Sequence, residues 1–94
     1  MSIMNEAGWQ RFLELCCDSK QSSPLNELLQ LLLTVEERHA IALRVALIRE
    51  LLLGEKTQRE IAADLEVSIA KITRGSNALK QIDDTLRRFL LAHL

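Results

Sequence analysis

The chain has 94 residues, a length that fits one domain and leaves room for only a small private core. Hydrophobic residues make up 48% of it and aromatic residues only 3%, so we expect a second copy of the chain to cover aliphatic surface that one small domain cannot bury. The formal net charge of -1 excludes a uniformly basic nucleic-acid coat, and any DNA contact must therefore come from a local patch.

Membrane insertion, secretion and metal binding are not indicated. No apolar run approaches the roughly 20 residues of a membrane span, and the N-terminus lacks a basic segment followed by an apolar one. We therefore expect a cytoplasmic protein with no membrane partner. Cys16 and Cys17 are adjacent, where a disulfide would be strained, and with only His39 and His93 besides them the spacing of a metal site is missing.

Apolar residues recur at spacings of three and four along the chain, which predicts an all-α fold. A first helix is predicted at about residues 6 to 19, with Trp9 as a core anchor. Pro24 fits the first position of a second helix, because its missing N–H group is harmless there, and this helix should run from about 24 to 33.

Two capping signals divide the middle of the chain. Thr34 and Glu37 form a capping box that opens a long helix, which ends at Gly54. Thr57 and Glu60 form a second one. Ser68, and Asp83 or Asp84, are further N-caps, so the remaining predicted helices lie at 58–65, at 69–80 and from about 84 to the end.

Residues 57–80 have the spacing of a helix-turn-helix. Small Ala62 lets two helices approach closely, and the angle between them should be filled by Ile61, Leu65, Val67, Ile69 and Ile72. Glu66 stands at a turn position where φ is often positive, at some cost for a residue other than glycine. The opposite face of the second helix has three positive charges and no acid, being formed by Ala70, Lys71, Thr73, Arg74, Asn77 and Lys80. Such a face predicts contacts with DNA phosphates.

Arg44 falls in the middle of the apolar sector of the long central helix when that helix is plotted at 100° per residue. A buried guanidinium needs a carboxylate, an aromatic face or a ligand beside it. From the residues alone, an internal ion pair and a ligand site are equally good explanations.

A resemblance to the Trp repressor family is carried by ITRGSNALK at residues 72–80, by QRE at 58–60 and by LLLTVEER at 31–38. It extends over about residues 9 to 94. The resemblance implies a single domain over residues 1–94, built as a six-helix subunit of an intertwined homodimer with its helix-turn-helix at 57–80. It further implies L-tryptophan as corepressor, with no other cofactor, and operator DNA as partner, with half-sites about 34 to 36 Å apart.

The same resemblance implies a tryptophan site and a DNA surface. Arg44 and Arg74 would sandwich the indole ring, and Arg74 would also bind the ligand carboxylate. The implied ligand residues are Thr34, Arg44, Ile48, Arg74 and Gly75, together with the backbone carbonyls of Leu31 and Leu33 from the other subunit. Ala78 departs from the family members that carry a serine there. The DNA residues are expected to be Gln58, Arg59, Ile69, Ala70, Lys71, Thr73, Asn77 and Lys80, with Lys71 adding a phosphate or base contact.

Three other functions are alternatives to a tryptophan-responsive repressor. An enzyme is not expected, since no paired-acid cleft, regional Cys/His combination or phosphate-binding glycine loop is present. A helical protein-interaction module would explain the amphipathic helices but not the acid-free face of 69–80. A helix-turn-helix regulator that responds to another aromatic or indole ligand stays open because of Ala78.

Overall fold

The computed structural model describes residues 5–19 and 22–94, and in these ranges the chain forms six α-helices and no strand. The predicted all-α fold is thereby confirmed, and the helix ends lie within about two residues of the predicted ones. None of the described helices is long and apolar enough to cross a membrane. The helices are α1 (Glu6–Asp18), α2 (Ser22–Leu32), α3 (Val35–Leu53), α4 (Gln58–Leu65), α5 (Ile69–Leu79) and α6 (Asp84–His93).

The predicted N-caps are present. In the Thr57 capping box the hydroxyl accepts from the Glu60 backbone N–H and the Glu60 carboxylate accepts from the Thr57 N–H, both at 3.1 Å. Ser68 and Asp83 cap α5 and α6 through a single bond each, in which the side chain accepts from the backbone N–H of Lys71 and Leu86. Because a Ser, Thr or Asp cap is worth about 1 kcal/mol, these residues set where the helices begin.

The contacts of the chain divide it into two units, Met1–Arg38 and His39–Leu94, and each is described by itself. In the first unit no described side chain is buried. Trp9 is 49% exposed and packs against Phe12 of its own helix, with the two ring centroids 5.3 Å apart. The prediction that Trp9 anchors a core is therefore wrong for the single chain, because α1 buries none of its residues there.

The start of α3 is fixed by two polar contacts within the first unit. Thr34 and Glu37 form the predicted capping box, with distances of 2.9 and 3.1 Å. The hydrogen bond that the Thr34 backbone N–H donates to the Glu37 carboxylate, and after it one from the Thr34 side chain, lower the pKa of that carboxyl below its usual value. The Arg38 guanidinium donates to the carbonyl oxygens of Gln30 and Leu33, at 3.4 and 3.2 Å, and so ties the end of α2 to the first turn of α3.

The second unit contains all the buried residues that the structure describes. Ile61 and Ile72 are fully buried, and they pack with Leu47 of α3 and with Ala62. Leu65 and Val67, at the turn, pack against this cluster as predicted. Ile69 does not: it is 47% exposed, because it begins α5 at the outer end of the turn, and its predicted place in the core is wrong.

Two residues with positive φ shape the chain around α4. Gly54 has φ +67° directly after α3, as a helix-ending glycine should. Glu66 has φ 57° and ψ 45° at the end of α4, the left-handed conformation expected from its position. In that conformation the Glu66 N–H donates to the Ala63 carbonyl, and the Val67 N–H donates to the Ala62 carbonyl. The chain can therefore turn from α4 into α5 within three residues.

Helix α6 follows α5 closely but buries no residue. The Arg87 guanidinium donates to the Leu79 carbonyl at 2.7 Å and so holds the start of α6 against the end of α5. Phe89 is 57% exposed and stacks only on His93 of the same helix, with a centroid separation of 4.3 Å. The outer face of α6 is therefore apolar and uncovered in the single chain.

Candidate ligand cavity and DNA interface

A cavity of about 310 Å³ lies between α3 and α5, within the second unit. Both helices contribute residues at spacings of three and four, so each presents one stripe of its surface to the cavity. Its size is at the lower end of the range of about 300 to 1,000 Å³ that is typical of small-molecule sites. The lining residues are Ala40, Leu43, Arg44, Leu47 and Ile48 from α3, and Lys71, Arg74, Gly75 and Ala78 from α5.

The two arginines of the predicted sandwich meet at this cavity from different helices. Arg44 stands on α3 and Arg74 on α5, and both side chains are exposed. The expectation that the Arg44 guanidinium is buried among apolar residues is wrong for the single chain. Apolar residues occur on several sides of α3, and of these Leu47 is buried whereas Ile41 and Val45 are exposed. The sector around Arg44 is thus an open wall that can receive a planar ring.

Gly75 lets α5 pack closely against side chains of α3. A Cβ atom at this position would collide with Leu47 Cδ1 and would lie 3.8 Å from Leu51 Cδ1. Any larger side chain would therefore displace the buried Leu47 side chain or move the two helices apart. The glycine keeps the walls of the cavity close together, which a ligand held on both faces requires.

The charge of the cavity wall has one sign. Arg44, Lys71 and Arg74 are its charged residues, and its other lining residues are apolar or glycine. Ala78 supplies no hydroxyl group. Such a wall offers cations and apolar surface, which suit an aromatic ring that carries a negative charge.

Four residues of the predicted ligand set line the cavity, namely Arg44, Ile48, Arg74 and Gly75. Thr34, Leu31 and Leu33 lie in the first unit, and their part in the site stays a prediction. Leu31 is 81% exposed, and the Leu33 carbonyl already accepts a hydrogen bond from Arg38. The Thr34 hydroxyl accepts from the Glu37 N–H, so this side chain serves the cap of α3.

The sequence interpretation missed several cavity residues. Helical spacing from Arg44 and Arg74 could have found them, since they stand three or four residues from one of these arginines. They are Ala40, Leu47 and Lys71, with Leu43 beside Arg44. Ala78, which the sequence already marks as a departure from the serine of some family members, lines the cavity as well. Lys71 was assigned to DNA alone.

The predicted DNA residues of α5 are exposed together. Ile69, Ala70, Lys71, Thr73, Asn77 and Lys80 are all accessible, as are Gln58 and Arg59 at the start of α4. The Thr73 hydroxyl donates to Gln58 Oε1 at 3.0 Å, which links the two helices on this face. The two helix starts thus present one connected polar surface.

A three-residue ion cluster joins α3, the following loop and α4. The Lys56 ammonium lies 3.1 Å from Glu50 Oε2 and 2.7 Å from Asp64 Oδ2. Hydrogen bonds to Asp64 and then to Glu50 raise the pKa of Lys56 above its usual value. The cluster restrains α4 against the end of α3, next to Gly54.

Similarity to known proteins agrees with this geometry. The family described as Trp repressor protein matches residues 7–94. A Trp operon repressor homolog of Chlamydia trachomatis serovar D is 50% identical over 90 residues, covering 96% of each chain. Homologs of the same description from Chlamydia caviae and Vibrio campbellii are 49% and 46% identical, covering 92% and 82% of this chain and 85% and 77% of their own.

Trp repressors are transcription regulators and not enzymes, and both the family and these relatives lie within that class. The predicted resemblance extended over about residues 9 to 94, and the family match covers nearly the same range. With six helices in its described ranges, a helix-turn-helix in the second unit and identities near one half, the chain belongs to the Trp repressor family.

Proposed function

We propose that this protein is a transcriptional repressor that binds L-tryptophan in the α3–α5 cavity and then binds operator DNA as a homodimer. The observation that carries the proposal is the pair Arg44 and Arg74, which line one cavity from two different helices. Two guanidinium groups on opposite walls suit the two faces of an indole ring. The relatives are named as Trp operon repressor homologs, which supports the same ligand and target.

The ligand acts as a wedge in this proposal. Arg74 belongs to the helix that faces DNA, whereas Arg44 belongs to the helix that supports it. A ring held between them fixes the distance between α3 and α5. Helices α4 and α5 together form the reading head. A bound ligand then shifts the population of this head toward the orientation that fits a major groove.

DNA binding would use the exposed polar surface formed by the start of α4 and by α5. Gln58, Arg59, Thr73 and Lys80 are suited to phosphate or base-edge contacts, while Ile69 and Ala70 stand at the tip of the helix that enters the groove. Asn77 extends the same face. Lys71 lies on the cavity wall as well.

A homodimer would cover the apolar surface that the single chain leaves open. Trp9, Leu31 and Phe89 are each about half exposed or more, on three different helices. Exposed apolar area of this kind marks an interaction surface. Light scattering after gel filtration should give twice the chain mass of 10.7 kDa, and a monomer at micromolar concentration would contradict the dimer.

The whole proposal is tested by titrating a duplex from the control region of a tryptophan operon, with and without L-tryptophan. We expect tryptophan to raise the affinity for this duplex at least about tenfold, within the usual range of allosteric coupling. Arg74→Ala should abolish tryptophan binding in calorimetry. Arg88→Ala, which removes an exposed cation of α6 outside the cavity wall, should leave tryptophan binding unchanged.

Two results would contradict the proposal. Equal DNA affinity with and without tryptophan would refute the switch, and unchanged tryptophan affinity in Arg74→Ala would refute the site. A second candidate keeps the switch but replaces tryptophan by another aromatic or indole compound. Ala78 favours it, because the cavity wall has no hydroxyl group at that position to hold an amino group. Stronger DNA binding with such a compound than with tryptophan would decide for it.

A further inference from the structure

Lys71 belongs to the same stripe of α5 as Arg74. It stands three residues before Arg74 and four before Gly75, and all three line the cavity. Side chains at this spacing are neighbours on a helix, with Cβ atoms about 5 to 6 Å apart. The Lys71 ammonium and the Arg74 guanidinium can therefore reach one small anion at the mouth of the cavity.

We propose that Lys71 is a ligand-binding residue that, together with Arg74, clamps the carboxylate of the aromatic ligand and so selects for ligands that carry one. This inference rests on the proposed function and extends it to a residue that was assigned to DNA. It commits the cavity to one ligand class, namely planar aromatic carboxylates.

The chemistry of Arg74 gives the first reason. A guanidinium stacked against a ring has its N–H donors at its edge, in a plane parallel to the ring. A stacked Arg74 can therefore bind a carboxylate only through this edge, and it holds that group from one side. A lysine is a compact charge on a flexible stem, and it can reach the carboxylate without giving up a stacking contact.

The charge balance of the wall gives the second reason. Lys71, Arg74 and Arg44 are cations, and no carboxylate lines the cavity. The ion pairs in the described part of the chain involve Arg11 and Lys56, and none involves these three residues. Neighbouring like charges on a helix repel one another, and an anion between them removes that cost. A ligand with an ammonium group and no carboxylate would increase the repulsion.

The role in DNA binding follows from the same geometry. A lysine that holds the ligand carboxylate is not free to neutralise a phosphate. Lys80, at the end of α5 and outside the cavity wall, does not hold the ligand carboxylate and stays available for a DNA phosphate. The two lysines of one helix should therefore behave differently towards salt.

Calorimetry on the full chain tests the proposal with two probes, L-tryptophan and tryptamine, which lacks the carboxylate. We expect tryptamine to bind the unmodified protein at least about a hundredfold more weakly than tryptophan. Lys71→Gln should weaken tryptophan binding about tenfold, as the loss of a charge-assisted hydrogen bond requires, and should leave tryptamine binding unchanged or slightly stronger. Lys71→Arg should restore most of the affinity, and Arg88→Gln, the matched loss of one cation on α6, should change neither ligand.

Operator binding at saturating tryptophan provides the second readout. Lys80→Gln should reduce the slope of log affinity against log salt by about one, and Lys71→Gln should leave the slope unchanged. If Lys71→Gln keeps full tryptophan affinity and lowers the slope, the lysine contacts DNA and this inference is wrong, while the proposed function stands. If neither tryptophan nor tryptamine binds the unmodified protein, the proposed function fails together with the inference.

Discussion

The reading head, formed by α4 and α5, differs from helices α1 and α6, called the outer helices, in how it obtains its stability. Helices α4 and α5 pack on α3 around two fully buried isoleucines, Ile61 and Ile72. Helices α1 and α6 bury no residue in the single chain, although both carry large apolar side chains. The head has a core of its own, and the outer helices have apolar faces without one. Dependence on a second copy of the chain should therefore concentrate in the outer helices.

The sharpest test of this difference compares two isoleucines of α5. Ile72→Ala should lower the free energy of unfolding by about 2 to 5 kcal/mol, because Ile72 is fully buried and its removal leaves a cavity. Ile69→Ala, at a position 47% exposed, should cost less than about 1 kcal/mol. Urea unfolding of both variants at equal protein concentration gives the two values. Equal losses would mean that the head has no private core.

The junction between the head and its support can be tested at Gly75. Gly75→Ala should destabilise the protein by about 1 to 3 kcal/mol, because the added methyl group collides with Leu47 in a packed region. It should also weaken tryptophan binding by moving α5 from α3. Gly8→Ala is the control on α1, where the Cβ would meet the Asn5 side chain at 3.0 Å, and this side chain caps the helix by accepting from the Gly8 N–H. A gain in helix propensity and a disturbed cap, each about 1 kcal/mol, oppose one another, so we expect Gly8→Ala to change stability less than Gly75→Ala and to leave tryptophan binding unchanged.

Substitutions at the two positive-φ residues, Gly54 after α3 and Glu66 after α4, should give effects of opposite sign. Gly54→Ala forces a Cβ into a conformation with φ +67° where no atom lies within 4 Å, so its cost of about 1 kcal/mol comes from the backbone alone. Glu66→Gly relieves the same strain and should stabilise the head by about 1 kcal/mol. Thermal unfolding of both variants checks the signs. A destabilised Glu66→Gly would show that the glutamate side chain contributes more than its backbone costs.

The smallest expected effect concerns the ion cluster of Lys56. Since its pKa is raised in the folded protein, its stabilising contribution is complete below the unfolded value and is lost as the pH rises above about 10.5. The urea midpoint of the unmodified protein should therefore fall more steeply above that pH than the midpoint of Lys56→Gln. Lys80→Gln removes an amine that makes no ion pair within residues 5–19 and 22–94, and should keep the steeper fall.

Local signals predicted the helices well because each acts over a few residues. Thr34, Thr57 and Ser68 cap the helices that they were expected to cap, and Glu66 takes the left-handed conformation expected of its turn. Burial was predicted less well. Arg44 and Trp9 were expected inside, and both are exposed, because an apolar pattern does not tell whether its own chain or a partner covers it.

The cavity was predicted in part for a related reason. Arg44, Ile48, Arg74 and Gly75 were identified through the resemblance and do line it, but Lys71 was read only as a charge on an outer face. A residue at the border between two faces of α5 can serve either one. Only the position of α3 shows which residues of α5 border the cavity.

The hydrogen bond between Thr73 and Gln58 limits what the head can read. Because the amide oxygen of Gln58 accepts from the Thr73 hydroxyl, one of its two lone pairs is used inside the protein, whereas both N–H donors are left for DNA. A glutamine that recognises adenine in two places needs both its oxygen and its nitrogen for that base. In the proposed complex, Gln58 is therefore suited to acceptors such as a phosphate oxygen or the O6 and N7 atoms of guanine. A hydrogen bond inside the protein would thus reduce the number of bases that α4, the helix before the one that enters the groove, can recognise.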